Sequence, residues 1–159
     1  MPYLAVSVAR TERGWAGSEL DLGDVEDLDA LADLLRDAAG DGPGPGLLLL
    51  EENDEYFAVV RVDPDGDPRV FLSDRRAVTG SEAAALLADA GIDAPSPDEE
   101  TQRPAAEPVG DDGLLADLGV PGERLLELSA EEGLLPADVL TAIAEECGFV
   151  DELEQVRGT

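Results

Sequence analysis

Residues 47 to 73 read Leu47-Leu48-Leu49-Leu50, an acidic break from Glu51 to Asp54, Tyr56-Phe57-Ala58-Val59-Val60-Arg61-Val62, a turn Asp63-Pro64-Asp65-Gly66-Asp67-Pro68, and Arg69-Val70-Phe71-Leu72-Ser73. This stretch predicts three strands joined by two tight turns. Leu47 to Leu50 is apolar at every position, which suits a central strand covered on both sides. In the next run Tyr56, Ala58, Val60 and Val62 share one face, and Phe57, Val59 and Arg61 share the other. Arg69 to Ser73 closes the meander.

Working outward, Leu4, Val6 and Val8 alternate with Ala5, Ser7 and Ala9, the period of a half-buried strand. Thr11 to Gly14 reads as a turn and Trp15 to Leu20 as a returning strand, in which Gly17 implies a bulge or an edge position. Asp24 to Ala39 is the clearest helix. Val25, Leu28, Leu31, Ala32, Leu35 and Ala39 recur at steps of three and four on one face. Asp24, Glu26 and Asp27 suit the first turn, Arg36 the last, and Gly40 the C-terminal cap. The segment from Gly40 to Gly46 connects helix to strand. Its prolines lack the N–H groups a phosphate would need.

Beyond the meander, Ser81 to Ala90 reads as a short helix ended by Gly91. Residues 92–110 carry four prolines and many acids, and read as a linker too poor in apolar surface to offset its ordering entropy. The apolar period then returns. Leu114, Leu115 and Leu118 form one short helix ended by Gly119. A second starts near Pro121 and stops at Gly133. A third starts at Pro136, with Val139, Leu140, Ile143, Ala144 and Cys147 on one face and Gly148 after it. A last one carries Phe149, Leu153 and Val156. The expected fold is α+β: a mostly antiparallel sheet of four or five strands over residues 1–91 with one main helix packed on it, the linker 92–110, and a small helical unit over 111–159. That unit is the candidate cover for the second sheet face, with standing apart on the linker as the alternative.

Composition narrows the function. The chain has 159 residues, 43% of them hydrophobic, and a formal net charge of −28. All ten basic residues are arginine, and there is no histidine. Such a charge keeps a protein soluble and disfavours contact with nucleic acid or an anionic membrane surface. A GC-rich genome accounts best for the Arg, Gly and Pro content, ahead of salt adaptation or polyanion mimicry. The single Cys147 allows no internal disulfide, Met1 to Val6 lacks the basic start of a signal peptide, and no run approaches the ~20 apolar residues of a membrane helix. A soluble cytoplasmic protein is expected.

Most chemistries lack a required part. Without histidine there is no Ser-His-Asp or Cys-His pair, no imidazole base and no Cys/His zinc site, and no phosphate-binding Gly-x-x-x-x-Gly-Lys occurs. Asp63, Asp65, Asp67 and Asp74 echo the spacing of a calcium loop. However, Pro68 stands where that loop needs glycine, and Asp74 replaces the bidentate glutamate, so a strand-connecting turn is the better reading. Cys147 reads as a buried, inert thiol. No residue is singled out as catalytic, cofactor-binding or metal-ligating, and no cofactor is implied.

Several segments together resemble the actinobacterial tRNA adenosine deaminase-associated proteins: Arg10-Thr11-Glu12-Arg13-Gly14-Trp15, Asp24-Val25-Glu26-Asp27-Leu28-Asp29, Glu55 to Val62, Pro68 to Asp74, and Gly133-Leu134-Leu135-Pro136-Ala137-Asp138 through Gly148-Phe149. The resemblance spans nearly all of the chain except the linker, and its specificity lies in the order of the segments. It implies association with the enzyme that converts adenosine to inosine in tRNA. The chain is not that enzyme, because the zinc deaminases need His-x-Glu and Pro-Cys-x-x-Cys elements that it lacks. The expected role is a non-catalytic acidic binding or regulatory protein with a protein partner, for which the resemblance points to that deaminase, and no direct contact with nucleic acid or membrane. The alternative is a carboxylate-based or divalent-cation-dependent enzyme.

Overall fold

The structure is a computed structural model that describes residues 3–11, 14–20, 25, 27–39, 46–52, 56–63, 68–73, 109–130 and 135–157. Strands β1 (Tyr3–Thr11), β2 (Gly14–Glu19), β3 (Gly46–Glu52), β4 (Tyr56–Val62), β5 (Arg69–Leu72) and the two-residue β6 (Val109–Gly110) form one antiparallel sheet in the order β2-β1-β3-β4-β5-β6. Helix α1 (Leu28–Ala39) lies between β2 and β3 in sequence. Beyond β6 come a 3-10 turn (Ala116–Leu118) and helices α2 (Gly122–Ala130), α3 (Pro136–Cys147) and α4 (Val150–Arg157).

The expected meander is present, with Leu49 opposite Val59 and Val59 opposite Phe71. β3 is interior, and Leu47, Leu48, Leu49 and Leu50 are all fully buried. Alternation divides them between two cores. Leu48 and Leu50 join Ala5, Tyr56, Ala58, Val60, Val62, Val70 and Leu72 beneath Leu28, Leu31, Ala32 and Leu35 of α1. Leu47 and Leu49 join Val6, Val8, Phe57, Val59 and Phe71 against the C-terminal helices, which contribute Leu125, Leu128, Val139, Leu140, Ile143, Phe149 and Leu153. Each such side chain contributes roughly 1.5–3 kcal/mol of transfer free energy. The C-terminal unit therefore docks on the sheet, which settles the alternative left open by the sequence.

Three boundaries differ from expectation. Helix α1 starts at Leu28 rather than Asp24, because the Asp27 carboxylate accepts the Ala30 N–H at 2.8 Å and acts as N-cap. Leu114 and Leu115 are buried ahead of a three-residue 3-10 turn rather than within an α-helix. Little chain lies between Gly113, whose N–H is held by Asp111 Oδ1 at 3.0 Å, and Gly119 at φ 120°. The last two residues of the expected linker pair with Phe71 and Leu72 as β6. Gly110 is required there: its φ is 102°, and a Cβ would lie 2.1 Å from the Val70 carbonyl oxygen. The helix expected over Ser81 to Ala90, the remainder of the linker, and the loop and stop signals at residues 40–45 and 131–134 lie outside the described residues.

Gly17 occupies the edge strand β2 and faces Val8 in unbroken register, so the edge reading holds and the bulge does not. Helix α4 crosses this strand closely, for a Cβ at position 17 would come 3.3 Å from Glu152 Cβ. Nearby, Trp15 meets Phe149 edge-on at 5.0 Å, an arrangement favoured by the ring quadrupoles.

Candidate functional site

The apolar pattern of β4 is broken once, at Arg61. Its neighbours Phe57 and Val59 place it on the sheet face that the C-terminal unit covers, and its side chain is only 8% exposed. Its guanidinium makes four hydrogen bonds to the protein's own acceptors. Nε donates to Asp63 Oδ1 at 3.0 Å, and one terminal nitrogen donates to the Leu114 carbonyl at 2.7 Å. The two terminal nitrogens together grip the Asp117 carboxylate, the longer of the two bonds being 2.9 Å. Arg69, next to Arg61 across β4 and β5, donates to Asp111 Oδ2 at 3.3 Å and lies 3.6 Å from Asp63 Oδ2. Two arginines from the sheet thus hold Asp111, Leu114 and Asp117 of the returning chain.

The forked bond to Asp117, followed by the contacts of Asp63, raises the Arg61 pKa against the opposing effect of burial. Reciprocally, the Arg61 bond holds the Asp117 carboxyl below its ordinary range. The Asp117 carboxylate and the Arg61 guanidinium both stay charged at neutral pH. A two-pronged arginine–carboxylate bond fixes orientation as well as position, so this cluster works as a fastening between sheet and cover.

The other candidates also have definite places. Asp63, the first acid of the calcium-like spacing, is bonded to Arg61 and close to Arg69; Asp65, Asp67 and Asp74 lie outside the described residues. Among the described residues no group of three or more cysteine or acidic side chains is placed to hold a metal ion. Cys147 is half-buried, and burial, with the carboxylates of Glu146 and Asp117, pushes its thiol up to about 12. A thiol so raised is a poor nucleophile near neutrality.

The exterior is acidic on both layers. Asp29, Asp33 and Asp37 are exposed on α1, as are Glu123, Glu127, Asp138, Glu145, Glu146, Asp151 and Glu154 on the C-terminal helices. By contrast, the four arginines with described side chains all have carboxylate neighbours. Arg36 lies 3.6 Å from Asp33, Arg124 meets Glu146 at 3.3 Å, and Arg61 and Arg69 belong to the fastening. The pair Arg75-Arg76 lies outside the described residues.

Residues 3–150 match the family described as Rv3753c-like tRNA adenosine deaminase-associated protein. The chain belongs to this family. Protein Rv3753c of Mycobacterium tuberculosis is 34% identical over 151 residues, which is 95% of this chain and 85% of the relative. No solved structure matches. The family match runs from β1 to the first residue of α4 and so includes the sheet, α1 and the fastening. Among the described residues no helix is long and apolar enough to cross a membrane.

Sequence reasoning placed Arg61 on the correct face but missed the fastening. The available signal was a single charge within a seven-residue apolar strand, on a face that needed a cover. Its partner Asp117 lies 56 residues away and carries no signal of its own.

Proposed function

We propose that this chain is a non-catalytic regulatory protein of the cytoplasm that binds a tRNA adenosine deaminase by protein–protein contact. The observation that carries the reading is the division of charge. Carboxylates dominate the described exterior of both layers, while the described guanidinium groups are taken up by carboxylates of the same chain. An enzyme that binds tRNA needs a basic surface, and electrostatic complementarity steers an acidic protein to such a surface. The family description, which names association with a tRNA adenosine deaminase, supports that enzyme as the partner. Carboxylate-based catalysis has less support, because Asp63, Asp111 and Asp117, which the fold gathers together, are bonded to arginine.

Calorimetric titration of the purified deaminase from the same organism tests this. A complex is expected at low salt that weakens as salt approaches roughly 0.5 M, where the screening length falls to a few ångströms. A gel shift with tRNA and this chain alone should show no complex near physiological salt. Micromolar tRNA binding, or no deaminase complex at low salt, would refute the proposal.

A further inference from the structure

Strand β2 lies at the edge of the sheet, and Ala16, Gly17, Ser18 and Glu19 are exposed. The Leu20 N–H donates to the Ala5 carbonyl at 2.9 Å, which marks Ala5 and Leu20 as a bonded pair of the β1–β2 ladder. Antiparallel ladders alternate bonded and non-bonded pairs. Ser18 opposite Ser7 and Ala16 opposite Ala9 are then bonded inward, and the N–H and C=O groups of Gly17 and Glu19 point away from the sheet. Such an edge is a template for another strand unless it is blunted, usually by lysine, proline or a bulge. Here the exposed stretch has none of these.

We infer that the β2 edge takes an extended, arginine- or lysine-bearing segment of a protein partner as an added strand. The occupant follows from charge and space. Gly17 and Glu19 share the face on which α4 lies, because their ladder partners Val8 and Val6 belong to the core beneath the C-terminal helices. Glu152 passes directly over Gly17, and Asp151 and Glu154 stand exposed on the same helix. A partner residue opposite Gly17 meets no β2 side chain and has Glu19 as its diagonal neighbour, within reach of a long basic side chain. The outward backbone groups give affinity, and the carboxylates select a basic sequence, as in other strand-addition complexes. A second copy of this chain fits poorly, since it would bring two bodies of charge −28 together. The inference rests on the proposed function only in taking the partner to be a basic protein.

The probe is a synthetic eight-residue peptide of alternating arginine and threonine, titrated into the full chain near physiological salt with hydrogen exchange followed by residue. Protection should rise at the Gly17 and Glu19 amides. Glu19→Gln removes a charge and keeps the N–H, so it should weaken binding only about two- to threefold. Glu19→Pro also removes the outward N–H and leaves the bonded pairs with β1 in place; it should weaken binding by roughly tenfold or more. Unchanged circular dichroism and unfolding midpoint are the control for folding. Equal binding by the two variants, or protection elsewhere, overturns the inference in favour of diffuse charge attraction. Protection at Gly17 and Glu19 without peptide, rising with protein concentration, overturns it in favour of self-pairing. A deaminase complex that Glu19→Pro leaves intact overturns the edge assignment while the proposed function stands.

Discussion

Replacing Arg61 by methionine should loosen the C-terminal cover while keeping most of the apolar stem that the strand buries. The cost follows from what Arg61 leaves behind. Side chains of Asp117 and Asp63 are 62% and 35% exposed, so water resolvates them, and each lost ion pair counts for no more than about 1 kcal/mol. The Leu114 carbonyl, reached at 2.7 Å in a buried bond, loses its donor at about 1–3 kcal/mol. A total of about 2–4 kcal/mol is expected, read as a lower urea midpoint at neutral pH. Acid should shrink the difference. The folded-state pKa of Asp117 is depressed from an ordinary 3.8, so its pairing stabilises the fold above that value and is lost as pH falls through the folded value. Asp117→Asn in the Arg61→Met background should cost little more, since the two share one interaction. An unchanged midpoint, or additive costs, would refute the fastening.

Val60→Asp, at a position with no exposure between β4 and α1, should abolish cooperative folding, because an unpaired carboxylate there costs several kcal/mol; a native-like melting curve would show the core to be misassigned. Trp15 is the only tryptophan and contacts Phe149, so its fluorescence reports the seating of the C-terminal unit on β2. That unit shares one core with the sheet, and fluorescence and far-ultraviolet dichroism should therefore change together in urea. A fluorescence transition at clearly lower urea would show independent detachment. Cys147 should react with iodoacetamide at pH 8 far more slowly than a free thiol and rapidly once the chain is unfolded, given a pKa near 12; fast labelling of the native protein would contradict its burial.

What the sequence made legible was governed by local period. The meander, the two-faced burial of Leu47 to Leu50, the face of α1 and the starts and stops at Pro136 and Gly148 all follow from neighbours within a turn or a strand. The glycine after α3 takes the left-handed cap, and its N–H donates to Ala144 O at 2.8 Å. Strand β6 was not legible, because two residues carry no period and their pairing with β5 depends on the Gly110 conformation and distant chain. Likewise the α1 boundary turned on which of three neighbouring acids caps the helix, and only the bond from Ala30 to Asp27 decides it. The fastening was hidden for the same reason as β6: its halves are far apart in sequence, and each looks ordinary alone.

Four successive leucines in β3 give that strand little means of knowing its own alignment. A slip by one residue against β1 or β4 normally exchanges buried for exposed residue types all along a strand, but here it puts leucine for leucine at three of the four leucine positions. The alignment must be written at the ends. Gly46 passes α1 where a Cβ would come 2.7 Å from the Leu35 carbonyl oxygen, which no leucine could occupy. At the other end Glu52 stands opposite Tyr56 and accepts its hydroxyl at 3.0 Å. Between them Leu47 faces Arg61, whose fork reaches Asp117 in this alignment. The greasy middle of the sheet supplies cohesion, and a few polar or side-chain-free positions supply its address. Substitutions at Gly46, Glu52 or Arg61 should therefore degrade uniqueness of the fold more than their individual contacts suggest, whereas leucine-to-isoleucine changes in the middle should pass almost unnoticed.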